Sequence, residues 1–430
     1  AVALLALLAL LALPATPAAA STPTPTRTAT STAQPAAGTP TPSPASSTAS
    51  PGPSATGGGS GTPSPTPAVA APAPPAPHLG QGQERFLLVN QHGGLFYESD
   101  ADLQENAAYA AWLGASAIRV FATDSNTHKP WDGKRVGRQI VRWAPHLRSR
   151  RLRLVVALVN NHRPVPGEAP DSAGLVEGFF QLLLPFYHDR WKGPYLRFAD
   201  DLITTVREGG ATDVIAAWEV GNELHTPQTP MAFQAFLQSA ISEVRKVDAM
   251  TPIWPGTMGG HHLHPWVVRS PLARWLYCEA PVDAYTLHAY DWLSGDVPGD
   301  MPIHWDLDEV VGEPCPNGRR LPVVVEELGT SRMLPGWYSA EEEEARLLLE
   351  QHQLRFVMGY PMVRGVGAWS AVSPRAGDPN YADNRRGLSS YGPDGRGSGS
   401  CYPLEGQPVG PGQLPVRCRL EQVLRRVPAT

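Results

Sequence analysis

Charge is almost missing from the start of this 430-residue chain: from Ala1 to Gly82 the only charged side chain is Arg27, and the first carboxylate is Glu84. Long apolar runs are missing as well. No stretch reaches the roughly 18 apolar residues of a membrane-crossing helix, so no membrane span is expected. Basic residues do not outnumber acidic ones, with 35 Lys and Arg against 40 Asp and Glu. Phosphate recognition needs a concentrated basic face, so nucleic acid is not an expected partner. Cysteine is scarce: Cys278, Cys315, Cys401 and Cys418 include no C-x-x-C pair, which leaves no zinc pattern. The turn Asn90-Gln91-His92-Gly93-Gly94 lacks G-x-G-x-x-G spacing, so a dinucleotide fold is disfavoured. The run Gly259-Gly260-His261-His262-Leu263-His264 has no matching ligands at recognised spacing and reads as a cleft-lining loop. No metal and no cofactor are expected.

What is present begins with an Ala/Leu/Val run from Ala1 to Leu13, then Pro14 and the small residues Ala18-Ala19-Ala20. This has the apolar core and cleavage site of a secretory signal over residues 1–20. Without an initiator Met or basic lead-in, the chain is expected to start inside that signal. Residues 21–78 are Pro, Thr, Ser, Ala and Gly with little else. They cannot bury enough apolar surface to offset their ordering entropy, and read as a disordered, extended tether. The expected organisation is signal, linker, and one catalytic domain over residues 79–430, located outside the cell and monomeric. In an oxidising compartment the simplest pairing is Cys278 with Cys315 and Cys401 with Cys418, one of three possible connectivities.

From Phe86 onward, eight short apolar runs alternate with helical patterns: 86–90, 117–121, 152–159, 214–220, 252–257, 282–288, 321–326 and 365–369. Helices are predicted over Asp100–Leu113 with an acidic N-cap, over Pro230–Val247, and over Glu341–Val357. The four glutamates that open the third suit the positive end of a helix dipole. A last helix is expected near Leu420. Strands apolar on both faces and alternating with helices indicate a parallel sheet. Eight such units make an α/β fold of the (β/α)8 TIM-barrel type, whose site lies at the carboxyl ends of the strands.

Two of those ends carry carboxylates. The fourth run closes on Trp218-Glu219-Val220-Gly221-Asn222-Glu223, and the seventh on Val325-Glu326-Glu327-Leu328-Gly329. Acetal hydrolysis needs such a pair: one carboxyl protonates the leaving oxygen, and the other attacks the anomeric carbon or activates water. Strand alternation points Glu326 and Glu327 opposite ways, and Glu219 reads as a structural partner deeper in the barrel.

Asn222-Glu223 after one strand, with Glu327-Leu328-Gly329 after another about a hundred residues on, resembles clan A of the retaining glycoside hydrolases, particularly family 5. The resemblance covers Phe86 to Trp369. It implies Glu223 as acid/base and Glu327 as nucleophile, with Leu328 where the family usually carries an aromatic. It further implies that Arg119 keeps the nucleophile ionised, Asn222 holds the sugar 2-hydroxyl, and His288 and Tyr290 form the sixth-strand His-x-Tyr. Trp369 would be the sugar platform. Asn160-Asn161-His162 resembles the Val-Asn-Asn-Trp of β-mannanases, which brings Asn161 into the expected site. The implied partner is a polysaccharide or oligosaccharide, best a β-1,4-mannan. Trp131, Trp292, Trp305 and Trp337 suit an extended cleft. A β-1,4-glucanase and a carbohydrate-binding barrel without turnover are the alternatives.

Overall fold

The computed structural model describes residues 85–91, 99–123, 132–159, 189–223, 230–257, 277–292, 307, 314–331, 340–369, 402 and 416–427. All of them belong to one unit, Pro72–Thr430. The expected signal (1–20) and linker (21–78) lie outside them, as do the histidine loop 261–264 and most of the Gly/Pro/Arg-rich segment 373–412.

Eight strands form one parallel sheet: β1 (Phe86–Asn90), β2 (Ala117–Phe121), β3 (Arg153–Ala157), β4 (Ile215–Glu219), β5 (Ile253–Trp254), β6 (Tyr285–Trp292), β7 (Val323–Ser331) and β8 (Val363–Ala368). Their hydrogen-bonded order is β5-β4-β3-β2-β1-β8-β7-β6, so the first and last strands of the chain are neighbours. A sheet ordered in this way curls until β5 meets β6. Across that seam Asp283 N donates to Ile253 O at 2.8 Å, Ile253 N donates to the Asp283 carboxylate at 2.7 Å, and Thr257 N donates to Thr286 Oγ1 at 3.0 Å. These bonds complete the (β/α)8 barrel.

The apolar runs serve two layers. Phe86, Leu88, Ala117, Val155, Ala216, Trp254, Ala284 and Val324 form a cluster of their own inside the barrel. Leu87, Val89, Ile118, Val120, Leu154 and Val156 join the larger core shared with the helices. Period-two alternation of the strand side chains produces this division, except on β4, where the adjacent Ala216 and Ala217 both join the inner cluster. The inner layer mixes alanines with two large rings, Phe86 and Trp254, stacked with centroids 6.3 Å apart. Taper in side-chain size lets the interior close without a channel.

The helices are α1 (Asp100–Trp112), α2 (Gly133–Ser149), α3 (Asp189–Glu208), α4 (Pro230–Val247), α5 (Ala340–Met358) and α6 (Val416–Leu424). The cap of α1 is Ser99, whose Oγ accepts from Asp102 N at 3.1 Å; the acidic residues occupy the first turn instead of the cap. Asp132 caps α2 through Arg135 N at 2.9 Å. The fifth strand is shorter than the apolar run 252–257, because Gly256 takes φ +69° and turns the backbone out of the ladder. The sixth and seventh strands run further than expected, paired from Tyr285 with Val323 to Trp292 with Ser331. No helix among the described residues is long and apolar enough to cross a membrane.

Cys278 and Cys315 form a disulfide. Beside it Arg319 donates to the carbonyls of Val282, Tyr277 and Ala280 at 2.8, 3.0 and 2.9 Å, tying the loop to the approach to β6. Cys418 is also disulfide-bonded, and its expected partner Cys401 lies outside the described residues.

Candidate active site

Arg119 organises the carboxyl end of the barrel. It sits on β2 with no solvent exposure, and four side chains around it offer acceptors to its N–H groups. Its Nε and Nη2 form a bidentate pair with Glu219 at 2.7 and 2.6 Å. Nη1 donates to Glu327 Oε1 at 2.6 Å and to Asn90 Oδ1 at 3.0 Å, and Nη2 donates to Asn222 Oδ1 at 2.8 Å. One guanidinium fork thus fixes side chains from β1, β4 and β7. Burial opposes its charge, but Glu219, with Glu326 and Glu327, holds the guanidinium protonated well above its ordinary range.

Glu223 reaches the same place by a strained turn. Its φ is +54°, unusual for a bulky residue and of a kind that costs roughly 1–3 kcal/mol. The neighbouring backbones hold it there: Asn222 N donates to Val159 O and Glu223 N to Gly256 O, both at 2.7 Å. Gly256 is confined to glycine twice over. It has a positive φ, and a Cβ on it would lie 1.9 Å from Gly221 O and 2.4 Å from Glu219 Oε1. Further back, Tyr195 on α3 donates to Val220 O at 2.7 Å, and Trp218 Nε1 donates to Asp248 at 2.9 Å.

His288 on β6 joins the two glutamates. Its Nδ1 lies 3.1 Å from Glu223 Oε1 and 3.4 Å from Glu327 Oε2. Polar atoms of Glu223, His288 and Glu327 all lie within 4.8 Å of one another. Such a group is compact enough to enclose a cation. However, Arg119 already contacts Glu327 at 2.6 Å, and a resident guanidinium repels a second cation. Burial alone would push the imidazole pKa down; the carboxylates of Glu327, Glu223 and Glu326 overcome it and raise it to about 10. The side chain of Glu223 is 11% exposed and that of Glu327 3%, while Glu219 and Glu326 are fully enclosed. Of these four carboxyls, only Glu223 and Glu327 keep any solvent exposure.

Glu326 departs from the alternation expected of a strand. The register of β7 slips against both β6 and β8 at this point, a bulge that inserts one extra residue. Glu326 Oε2 is 3.7 Å from His288 Nε2, while Glu327 lies near Nδ1 of the same ring. Both carboxyls therefore point into the barrel. Asn90 Nδ2 grips the bulge by donating to Glu326 O at 2.7 Å and to Ala368 O at 3.2 Å.

Of the residues expected in the site, Arg119, Asn222, Glu223, His288 and Glu327 are brought together. Tyr290 lies on β6 opposite Gly329, with its side chain outside the described set. Asn161 lies outside the described residues, as do Trp131, Trp305 and Trp337. Trp369 follows β8, half-buried, its ring centroid 6.1 Å from that of Phe121, whose own ring lies 5.2 Å from Arg119 Cζ. Sequence reasoning missed Asn90 and Phe121. Each is the last residue of its strand, at the carboxyl end of the barrel, which was the one available signal.

No family model and no curated protein sequence matches the chain. Solved structures do resemble it. The endo-β-1,4-mannanase from Thermotoga petrophila superposes with TM-score 0.52 at 16% identity, covering 82% of this chain and 79% of that one. A glycoside hydrolase family 5 mannosidase from Rhizomucor miehei gives 0.47 at 15%, covering 68% and 81%. A β-mannanase from Streptomyces thermolilacinus gives 0.41 at 18%, covering 71% and 87%. At this identity it is the fold that is shared, and the first of the three carries that likeness: this chain is built as a (β/α)8 barrel.

Proposed function

We propose that the protein is an exported, retaining β-glycoside hydrolase acting on a β-1,4-linked polysaccharide. The observation that carries the reading is the placement of Glu223, on the turn after β4, and Glu327, on β7, with carboxylate oxygens within 4.8 Å of each other and both partly exposed while Glu219 and Glu326 are enclosed. Double displacement through a glycosyl-enzyme uses carboxyls about 5–5.5 Å apart, whereas inversion needs roughly 6.5–9.5 Å to admit a water. The close approach of their nearest oxygens supports the retaining arrangement.

In this mechanism Arg119 aims Glu327 at the anomeric carbon while Glu223 gives its proton to the departing glycosidic oxygen. Glu223 then takes a proton from water, which attacks the glycosyl ester and frees Glu327. Asn222, held by Arg119, presents its amide to the sugar 2-hydroxyl. Trp369, beside Phe121, offers a ring to the apolar sugar face.

Mannan is the favoured substrate, supported by the Asn160-Asn161 motif and by the mannanase whose fold is similar. The apolar segment 1–20 and the tether 21–78 support export. Glu223→Gln and Glu327→Gln should each lose at least about 10³-fold in kcat while remaining folded. Near-normal turnover in either variant on mannan, carboxymethyl-cellulose or xylan would remove the assignment. NMR of the anomer first released gives an independent check, with retention expected.

A further inference from the structure

The mechanism above leaves one buried group unused. Glu326 has no solvent exposure, and among the described residues neither of its carboxyl oxygens has a hydrogen-bond partner. His288 Nε2 is likewise without a hydrogen bond and is 3.7 Å from Glu326 Oε2. Two enclosed, unsatisfied polar atoms facing each other are costly unless a proton lies between them. The bulge holds Glu326 in place from behind. Asn90 Nδ2 binds its carbonyl at 2.7 Å, and Gly367 packs so closely that a Cβ there would stand 1.8 Å from the same oxygen.

We propose that Glu326 is a positioning residue that shares one proton with His288 Nε2 and thereby keeps Nδ1 protonated, facing both Glu223 and Glu327. The proton is held either as Glu326 carboxyl with neutral imidazole or as carboxylate with imidazolium, and the pair is neutral in both forms. Nδ1–H therefore remains a donor throughout turnover. In the resting enzyme the negative charge lies on Glu327, 3.4 Å from Nδ1. Once the glycosyl ester forms and Glu223 has given up its proton, the charge lies on Glu223, 3.1 Å from the same atom. A single N–H contacts the charge in both states. With Nδ1–H on Oε1 of Glu223, the acidic proton belongs on its other oxygen.

The surroundings favour a retained proton. Facing Glu326 are Glu219 from β4, Arg119 from β2, His288 from β6 and its neighbour Glu327. Burial, with repulsion from Glu219, lifts the Glu326 pKa to about 8 against the attraction of Arg119 and His288.

The inference rests on the glycosidase reading for its consequence, but its first test needs no turnover. The full chain is labelled with ¹⁵N-histidine, and the ring nitrogens are followed by two-bond ¹H–¹⁵N correlation from pH 5 to 11. His288 is identified among the 13 histidines by the signal absent in His288→Gln. In the unmodified protein Nδ1 should be protonated across the range. In Glu326→Gln the His288 midpoint should fall by about one pH unit or more, and the alkaline limb of kcat/KM should fall with it. A purely structural role would lower melting temperature and kcat without moving either midpoint, and that result would overturn the proposal. So would an Nε2-protonated, Nδ1-bare ring in the unmodified protein, which decides the matter even if Glu326→Gln does not fold. A chain inactive on every glycan but showing these spectra would remove the glycosidase reading and leave the proton-sharing pair intact.

Discussion

Replacing Arg119 by Met tests the organisation of the site most directly. The fork makes two bonds to Glu219, one to Glu327 and one each to Asn90 and Asn222, with neither glutamate side chain more than 3% exposed. Methionine fills much of the volume and none of the bonds. Removing one member of a buried ion pair costs about 3–5 kcal/mol, because the partner charge is left stranded. Two pairs share this cation, so their losses are not additive, and the single-pair range is the expectation. Urea unfolding should register it. Adding Glu219→Gln to Arg119→Met removes one stranded charge and should return roughly 1–3 kcal/mol. Activity should not return, since Glu327 and Asn222 still lack their support; a loss of at least about 10²-fold in kcat/KM, near 2.7 kcal/mol, is expected in both variants. Arg119→Lys keeps the charge but not the fork, and should recover stability better than turnover. An Arg119→Met protein within about 1 kcal/mol of the parent, or one fully active, would refute the reasoning.

Three further outcomes can be measured. Gly256→Ala combines a positive φ with a close approach to Gly221 and Glu219 and should cost roughly 2–4 kcal/mol, with at least a tenfold loss of kcat as the Glu223 turn shifts; circular dichroism melts and initial rates report both. Cys278→Ser with Cys315→Ser opens a 37-residue separation, for which chain entropy gives about 4 kcal/mol of lost stability, readable as a lower urea midpoint in non-reducing buffer. The Glu326–His288 pair holds its shared proton more tightly folded than unfolded, with Glu326 raised to about 8 and His288 to about 10 from ordinary values near 4.3 and 6.5. The stability this contributes is whole below the unfolded histidine value and is lost as pH rises through the folded values. Melting temperature should therefore fall from pH 7 to 10, and fall less in Glu326→Gln; a flat curve would contradict the shifts.

Local pattern carried the barrel: eight apolar runs alternating with helices are a property of consecutive residues, and they reappear as β1 to β8 with ends shifted by a few positions. The strand-end carboxylates Glu223 and Glu327 were legible for the same reason, since each follows its strand directly. What required the tertiary structure was whatever depends on a partner distant in the chain. The bulge at Glu326 arises from register against β6 and β8, so alternation within β7 could not reveal that both glutamates face inward. Asn90 is an ordinary strand-end residue until the barrel brings it to Arg119 and to the carbonyl of Glu326, 236 positions away. The left-handed turn at Glu223 is held because Gly256 O, just past the end of β5, accepts its N–H. Periodicity and residue type are set by neighbours along the chain; strain, shared protons and buried ion pairs are set by neighbours across space.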